Sequence, residues 1–123
     1  VVQTYEAKEK CLQALKDNKL VAFVADRDFG RHGELLDFLG RKAYMPKGPA
    51  IFAKKMDAPI LPAFLIREPD DTFTLYMKEP IYPNGQQAKP SVIDLVQQYT
   101  RIFEEMIRQY PTQWLMFRKF WVY

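Results

Sequence analysis

Three charged residues, Asp26-Arg27-Asp28, directly follow an apolar run and carry the strongest chemical signal in this sequence. In α/β proteins, the loops at the carboxyl ends of strands form the ligand crevice. Carboxylate and guanidinium groups in that position can meet a substrate, so Asp26, Arg27 and Asp28 are candidate substrate-binding residues. The alternative is structural: the two aspartates pair with nearby cations, namely Arg27, Arg31 or Lys47, and only fix the loop.

A basic segment follows, in which residues 27–55 hold seven lysine or arginine residues against three acidic ones. Lys47 stands just before a Gly48-Pro49 helix start, where backbone N–H groups and a cation converge on an anion. Lys47 and Gly48 are therefore candidate binding residues for a phosphate-bearing ligand. A solvated basic face is the alternative, because the sequence has no glycine-rich phosphate loop.

The single histidine, His32, and Asp37 have the His-x4-Asp spacing that a large class of acyltransferases uses. There the histidine acts as a base toward an acceptor hydroxyl and the carboxylate orients it. With 15 acidic residues in 123, about one position in eight is acidic, so the pair alone is weak support for a catalytic dyad.

Residues 26–37 also have a superficial calcium-loop spacing, with aspartate at the first and twelfth positions. The sixth position of such a loop needs glycine for its sharp turn, and this sequence has Arg31 there. A strand rather than a helix is expected to enter the loop. We therefore predict no metal site and no cofactor.

The hydrophobic pattern predicts the elements that position these residues. Thr4 caps a first helix that runs to about Asn18. Residues 20–25 are six apolar residues without alternation, which predicts a parallel, central strand covered on both faces. Residues 26–47 show no periodicity and contain several glycines, so we predict a long ordered loop there.

The second half of the chain has clearer boundaries. Gly48-Pro49 begins a second helix that ends before Pro59, and residues 60–66 and 72–77 predict a hairpin. Ser91 and Asp94 form a capping-box-like start to a long amphipathic helix. The tail holds five aromatic residues in positions 114–123. It is interpreted as core closure, as a membrane-interface belt, or as a stacking surface for single-stranded nucleic acid.

The composition is that of a folded chain: 123 residues, 48% hydrophobic and 27% charged, with a net charge of +3. This charge is too small to demand a nucleic-acid partner. A single cysteine, Cys11, closes no intramolecular disulfide. No apolar run approaches the roughly 20 residues that span a bilayer. The chain opens without Met or a signal peptide, so we expect residue 1 to be a fragment boundary.

Several ordered blocks together resemble the C-terminal part of the bacterial lipid A biosynthesis (lauroyl/myristoyl-type) acyltransferase family, within the glycerolipid acyltransferase superfamily. The blocks are residues 21–30, 37–40, 45–50 and 58–62. The ending, residues 110–114 and 117–121, resembles that family's Pro-x-Gln-Trp and aromatic-basic signature. The resemblance implies an α/β fold with a mixed sheet flanked by helices. Residues 1–123 are then a single domain or a C-terminal fragment of a larger acyltransferase domain.

The resemblance further implies transfer of a fatty acyl chain from a thioester to a hydroxyl of a membrane glycolipid such as a lipid A precursor. The implied partners are acyl carrier protein or acyl-CoA, the glycolipid acceptor and the membrane surface, with no nucleic acid. The implied location is the cytoplasmic face of the bacterial inner membrane.

The same resemblance indicates which residues of this sequence belong to the site. Asp26, Arg27 and Asp28 match a block of the acceptor or head-group site, and Lys47 and Gly48 match the helix start after it. The family's His-x4-Asp/Glu dyad precedes these blocks, so it is expected upstream of Val1 and its role is not transferred to His32 and Asp37. The isolated chain is then inactive. The alternative function is a non-catalytic module that binds anionic lipid or nucleic acid.

Overall fold

The computed structural model describes residues 6–28, 30–85 and 89–123. Its element order is α1 Ala7–Lys16, β1 Glu34–Phe38, β2 Arg41–Met45, α2 Gly48–Met56, β3 Ala63–Arg67, β4 Phe73–Met77 and α3 Val92–Gln109, followed by a short 3-10 helix, Pro111–Gln113. The α/β class predicted from the sequence is confirmed. The strands form two separate antiparallel pairs, β1–β2 and β3–β4.

Helix α3 packs against the core along one face. It begins with the capping box that the sequence predicts: the Ser91 hydroxyl accepts the Asp94 amide at 3.1 Å, and the Asp94 carboxylate accepts the Ser91 amide at 2.8 Å. Its inner face buries Leu95, Val96 and Tyr99. Because the apolar residues recur at helical spacing, they lie on one face of the helix, which packs against the rest of the core.

Helix α2 also matches its prediction. It begins at Gly48 with Pro49 in the first turn and ends at Met56, with Asp57 in the left-handed region as its C-cap. Helix α1 covers most of the predicted first helix. The predicted cap, Thr4, lies outside the described residues.

The predicted long loop over residues 26–47 is wrong, because its second half is the β1–β2 hairpin. The strands pair in register with Leu36 opposite Ala43, and Leu39-Gly40 forms the two-residue turn. Both turn residues have positive φ, 50° and 83°, as a type I′ turn requires. The usual Asn-Gly signal is missing. Instead, the Glu104 carboxylate on α3 accepts the Leu39 amide at 2.6 Å, so a tertiary contact supports the turn.

The predicted hairpin is confirmed as β3–β4, with Leu65 opposite Leu75. One face packs on α3, where the Phe64 and Phe103 rings meet edge to face at 5.7 Å. The other face leaves Leu65 and Leu75 more than half exposed, at 64% and 56%. The hairpin is therefore covered on one side.

Residues 20–25, predicted as a parallel, central strand covered on both faces, are not a strand. Leu20 and Val24 are 86% and 85% exposed, and Phe23 packs on the Phe52 ring of α2 at 5.4 Å. A strand exists only where a neighbour offers N–H and C=O groups, and no described residue offers them to this segment. The side chains of this run are of strand-forming types, but the described part of the chain supplies no strand to pair with it.

The aromatic tail closes the core in part. Phe120 is buried, Trp121 bridges to Ala43, and the Val122 amide donates to the Lys42 carbonyl at 2.7 Å. Phe117 in the same tail is 88% exposed. Core closure is thus correct for Phe120, with Trp114 and Trp121 packed against the core, but not for Phe117 or Tyr123. Within the described ranges, no helix is both long and apolar enough to cross a bilayer.

Candidate functional site

Asp26 and Arg27 form an ion pair beside an apolar cleft. The guanidinium donates from Nε to both carboxylate oxygens of Asp26 at 3.1 Å and from Nη2 to Oδ2 at 2.5 Å. The side chains keep 24% and 33% of their surfaces exposed, respectively. The pair is therefore partly desolvated and still open to a ligand.

The tail of the chain completes this pair. The Trp114 indole N–H donates to Asp26 Oδ2 at 3.0 Å, and the Leu115 carbonyl accepts from Arg27 Nη1 at 3.2 Å. Burial raises the pKa of Asp26, but hydrogen bonds from Arg27 and Trp114 outweigh it, so the pKa lies below its ordinary value of 3.8. Asp26 is consequently a carboxylate, and it holds Arg27 in place.

The cleft beside the pair has a volume of about 460 Å³, within the range of small-molecule sites. Three parts of the chain form its walls, which are residues 23–27, strand β3 and the C-terminal half of α3 with the residues after it. Most of the lining is apolar: Phe23, Val24, Ala25, Ala63, Phe64, Leu65, Ile66, Phe103, Met106, Ile107 and Trp114. A cleft of this kind suits an aliphatic chain with a polar group near Arg27.

Asp28 forms its hydrogen bonds within the loop and does not line the cleft. Its carboxylate accepts the Gly30 amide at 3.0 Å and the Gly33 amide at 2.5 Å. Gly33 lies so close to β2 that a Cβ there would be 2.0 Å from the Met45 carbonyl oxygen. These hydrogen bonds fix the loop through main-chain amides rather than through the cations that the structural alternative named, and the substrate-binding role of Asp28 stays a prediction.

Lys47 and Gly48 also lie outside the cleft lining. Lys47 is the residue before the first turn of α2, and its ammonium is 3.8 Å from the Glu34 carboxylate. A Cβ on Gly48 would make an ordinary contact of 3.7 Å with the Phe23 ring. Their predicted role in anion binding is therefore separate from the cleft.

Other cations of the basic segment have partners in the protein. Lys42 pairs with Asp37 at 3.0 Å, Lys54 donates to the Pro90 carbonyl at 2.5 Å, and the Arg41 guanidinium lies 5.8 Å from the centre of the Tyr123 ring. Much of the positive charge of residues 27–55 is therefore engaged in contacts within the protein.

His32 and Asp37 are not brought together as a dyad. Asp37 lies on β1 opposite Lys42 and forms its ion pair across the hairpin. His32 is exposed in the preceding loop, and no hydrogen bond joins the two side chains in the described chain. Asp26, Asp28 and Asp37 each have different partners, and the described residues contain no cluster of metal-ligating side chains.

Sequence reasoning missed the part that the tail plays in this site. Trp114 and Leu115 contact the Asp26–Arg27 pair, and Gln113 contacts Arg67 at the end of β3; these partners lie 46 to 88 positions away. The only available signal was the Pro-x-Gln-Trp block, which supported the resemblance without a role for its residues. Spacing along the chain contains no information about contacts at this distance.

Comparisons with known proteins identify the family to which the chain is similar. The family of bacterial lipid A biosynthesis acyltransferases matches residues 1–122. A phosphatidylinositol mannoside acyltransferase of Mycolicibacterium smegmatis (strain ATCC 700084 / mc(2)155) is 29% identical over 114 residues, which are 93% of this chain and 36% of that protein.

Two further relatives carry the same name, from Mycobacterium tuberculosis strains CDC 1551 / Oshkosh and ATCC 25618 / H37Rv. Both are 28% identical, over 93% and 89% of this chain and over 34% and 33% of their own lengths. The chain thus spans about a third of the length of these relatives. On the family match over nearly all of its residues, this chain belongs to the bacterial lipid A biosynthesis acyltransferase family.

Proposed function

We propose that this chain is the lipid-binding part of an enzyme that moves a fatty acyl chain from an acyl thioester to a hydroxyl of a membrane glycolipid. The observation that carries the proposal is the apolar cleft with the Asp26–Arg27 pair at its edge. The mycobacterial relatives are named for phosphatidylinositol mannoside, a phosphate-bearing glycolipid. In this chain, the cleft takes an aliphatic chain and Arg27 binds an anionic oxygen beside it.

Arg27 has donors left for that oxygen. A guanidinium carries five N–H groups, and the protein contacts engage Nε and one N–H on each terminal nitrogen. Two N–H groups therefore remain for a ligand, as judged over the described ranges. Hydrogen bonds from a cation to a phosphate or carboxylate oxygen are short and strong, and a partly dry site strengthens them.

The reaction itself needs a base. The base removes the proton of the acceptor hydroxyl, the freed oxygen bonds to the thioester carbonyl carbon, and the C–S bond breaks as the thiolate leaves and takes up that proton. His32 is exposed and has no hydrogen bond to Asp37. We therefore place the base in a part of the protein outside these 123 residues.

The finer identities belong to the same proposal. The donor is acyl carrier protein or acyl-CoA, the acceptor is a glycolipid such as a lipid A precursor, and the enzyme works at the cytoplasmic face of the bacterial inner membrane. Family membership supports acyl transfer to a lipid in general.

The cleft is tested by calorimetric titration with dodecyl phosphate below its micelle concentration. We expect one molecule to bind, and Val24→Glu to weaken binding by at least about tenfold, because it places a carboxylate in the apolar lining. Leu20→Glu is the matched control, since Leu20 lies in the same segment, is as exposed as Val24 (86% against 85%) and does not line the cleft. Equal losses in both variants, or no binding by the wild type, would contradict the proposal.

The location of the base is tested with the isolated chain. We expect no acyl transfer from a radiolabelled acyl thioester to a glycolipid acceptor. Transfer that the chain performs and that His32→Ala abolishes would place the base here and overturn this part of the proposal.

A further inference from the structure

Three consecutive residues after α3, Gln113, Trp114 and Leu115, connect the two sides of the cleft; we refer to them as the clasp. Gln113 reaches strand β3, and Trp114 and Leu115 reach the Asp26–Arg27 pair. The function proposed above does not depend on these three contacts as a set.

The Gln113 contact substitutes for a neighbouring strand. Its side-chain oxygen accepts the Arg67 amide at 2.9 Å, and its side-chain nitrogen donates to the Arg67 carbonyl at 2.9 Å. Arg67 is the last residue of β3, so both main-chain groups at this end of the strand are satisfied by one amide side chain. The contact fixes β3 relative to the 3-10 helix, Pro111–Gln113.

The Trp114 ring is held in position by aromatic residues of the core. Its ring meets the Phe38 ring at 5.7 Å and the Phe120 ring at 5.5 Å, both edge to face. The indole N–H then has one position, 3.0 Å from the Asp26 carboxylate. Because Asp26 and the Leu115 carbonyl together engage three nitrogens of Arg27, the orientation of the guanidinium follows from the position of the clasp.

We infer that the clasp holds β3 and the Asp26–Arg27 pair at a fixed separation, and that Trp114 is a positioning residue that orients Arg27 toward the anionic group of a bound lipid. The role of Trp114 in orienting Arg27 toward a lipid rests on the function proposed above. The contacts that fix Asp26 and β3 in place do not depend on that function. The orienting role and the fixing contacts are therefore measured in separate experiments.

The hold on Asp26 is measured without a ligand. The pKa of the Asp26 carboxyl is followed by carbon-13 NMR in the wild type, in Trp114→Phe and in Trp121→Phe. Trp114→Phe keeps a ring and removes the N–H, so we expect the pKa of Asp26 to rise. Trp121→Phe is the matched control, because its indole N–H donates to the Phe38 carbonyl in the same cluster, and we expect no change.

The hold on β3 provides a second variant that leaves the aromatic cluster intact. Gln113→Met removes both hydrogen bonds to Arg67, and we expect the Arg67 amide to exchange with solvent at least about tenfold faster. The Glu68 amide donates to the Thr72 carbonyl within the hairpin and is the internal control. Unchanged exchange at Arg67 would overturn this half of the clasp.

The orientation of Arg27 is measured by selectivity rather than by affinity alone. Binding of dodecyl phosphate is compared with binding of the neutral amphiphile dodecyl maltoside. We expect Trp114→Phe to lower the preference for phosphate by about tenfold and Trp121→Phe to leave it unchanged. A loss of affinity for both amphiphiles in equal proportion indicates a merely structural role and overturns the positioning role.

The outcomes separate the two proposals. If the wild type binds neither amphiphile while Trp114→Phe still raises the pKa of Asp26, the proposed lipid site fails and the clasp stands as a structural feature. If Trp114→Phe leaves both the pKa of Asp26 and the phosphate preference as in the wild type, the clasp is wrong whatever the wild type binds.

Discussion

Asp26 keeps its negative charge in a partly dry position because donors replace the water it loses. Arg27 and Trp114 direct three N–H groups at its two oxygens. A buried carboxylate without such donors is neutral, since desolvation penalises the charged form. The charge on Asp26 in turn fixes the guanidinium that faces the cleft, so a single carboxylate sets the geometry of the site.

We expect Asp26→Asn to lower the free energy of unfolding by about 1–3 kcal/mol at neutral pH, because it removes the acceptor of charge-assisted hydrogen bonds. The pKa of Asp26 is lower in the folded chain than its ordinary 3.8. Its contribution is therefore present above that value and is lost as the pH falls through the folded-state pKa. Urea unfolding of the wild type and of Asp26→Asn is measured at about pH 7 and pH 3. The difference in unfolding free energy between the two proteins must be smaller at pH 3. A difference that stays constant would contradict the assignment.

Gly33 is required by a close approach of main chains. We expect Gly33→Ala to destabilise the chain by about 1–3 kcal/mol, because a Cβ would overlap the Met45 carbonyl, which cannot move without β2. Gly40→Ala is the matched control: its Cβ would meet nothing within 4 Å, and only the positive φ of 83° is penalised, by about 1 kcal/mol. Thermal or urea unfolding ranks the two, and a larger loss at Gly40 would contradict this account.

At the scale of elements, local signals and tertiary signals determine different parts of this fold. Helix α3 has its own cap, and the β3–β4 hairpin has a polar link of the right length. The β1–β2 hairpin turns at Leu39-Gly40, and it depends on Glu104 from another element. Residues 20–25 have strand-forming side chains and no strand beside them. An apolar run is thus insufficient to form a strand.

We expect the amides of residues 20–25 to exchange rapidly with solvent, because they make no main-chain hydrogen bond to the described part of the protein. Amides in the middle of α3, whose side chains Leu95, Val96 and Tyr99 are buried, are expected to exchange slowest. Hydrogen exchange followed by NMR measures both on one sample. Strong protection of residues 20–25 would show that they are paired as a strand.

At the scale of the whole molecule, the first hairpin and the C-terminal tail pack around one core together with α3. The core holds Phe38, Ala43 and Met45 from the first hairpin, α3 through Tyr99, and Phe120 from the tail. The tail therefore contributes both to the core and, through the clasp, to the cleft. Exposed apolar side chains lie on the uncovered face of β3–β4 and in residues 20–25, and part of the latter segment also lines the cleft.

We expect Phe120→Ala to cost about 3–5 kcal/mol of unfolding free energy, because it empties a buried position in contact with Phe38 and Trp114. Phe117→Ala, three residues earlier on an exposed side chain, should stay within about 0.5 kcal/mol of the wild type. Urea unfolding of the two variants checks the contrast. Similar losses would mean that the tail is packed differently.

The sequence by itself determined the features that are local in the chain. The bounds of α2 and α3, the capping box at Ser91 and the β3–β4 hairpin all follow from neighbouring residues, because caps, periodicity and short links act within a few positions. Family membership also followed from ordered blocks along the chain, and the family match confirms it. Asp26 and Arg27 were predicted as site residues from their place after an apolar run, and their substrate-binding role stays a prediction.

Only the tertiary structure decided which residues complete the site. Asp26 meets Trp114 across 88 positions, Arg67 meets Gln113 across 46, and the β1–β2 turn depends on a carboxylate 65 positions away. It also separated Asp28 and Lys47 from the cleft. The physical reason is that strand pairing and hydrogen-bond partners are chosen by packing between distant segments, while residue type and spacing constrain only what each segment offers.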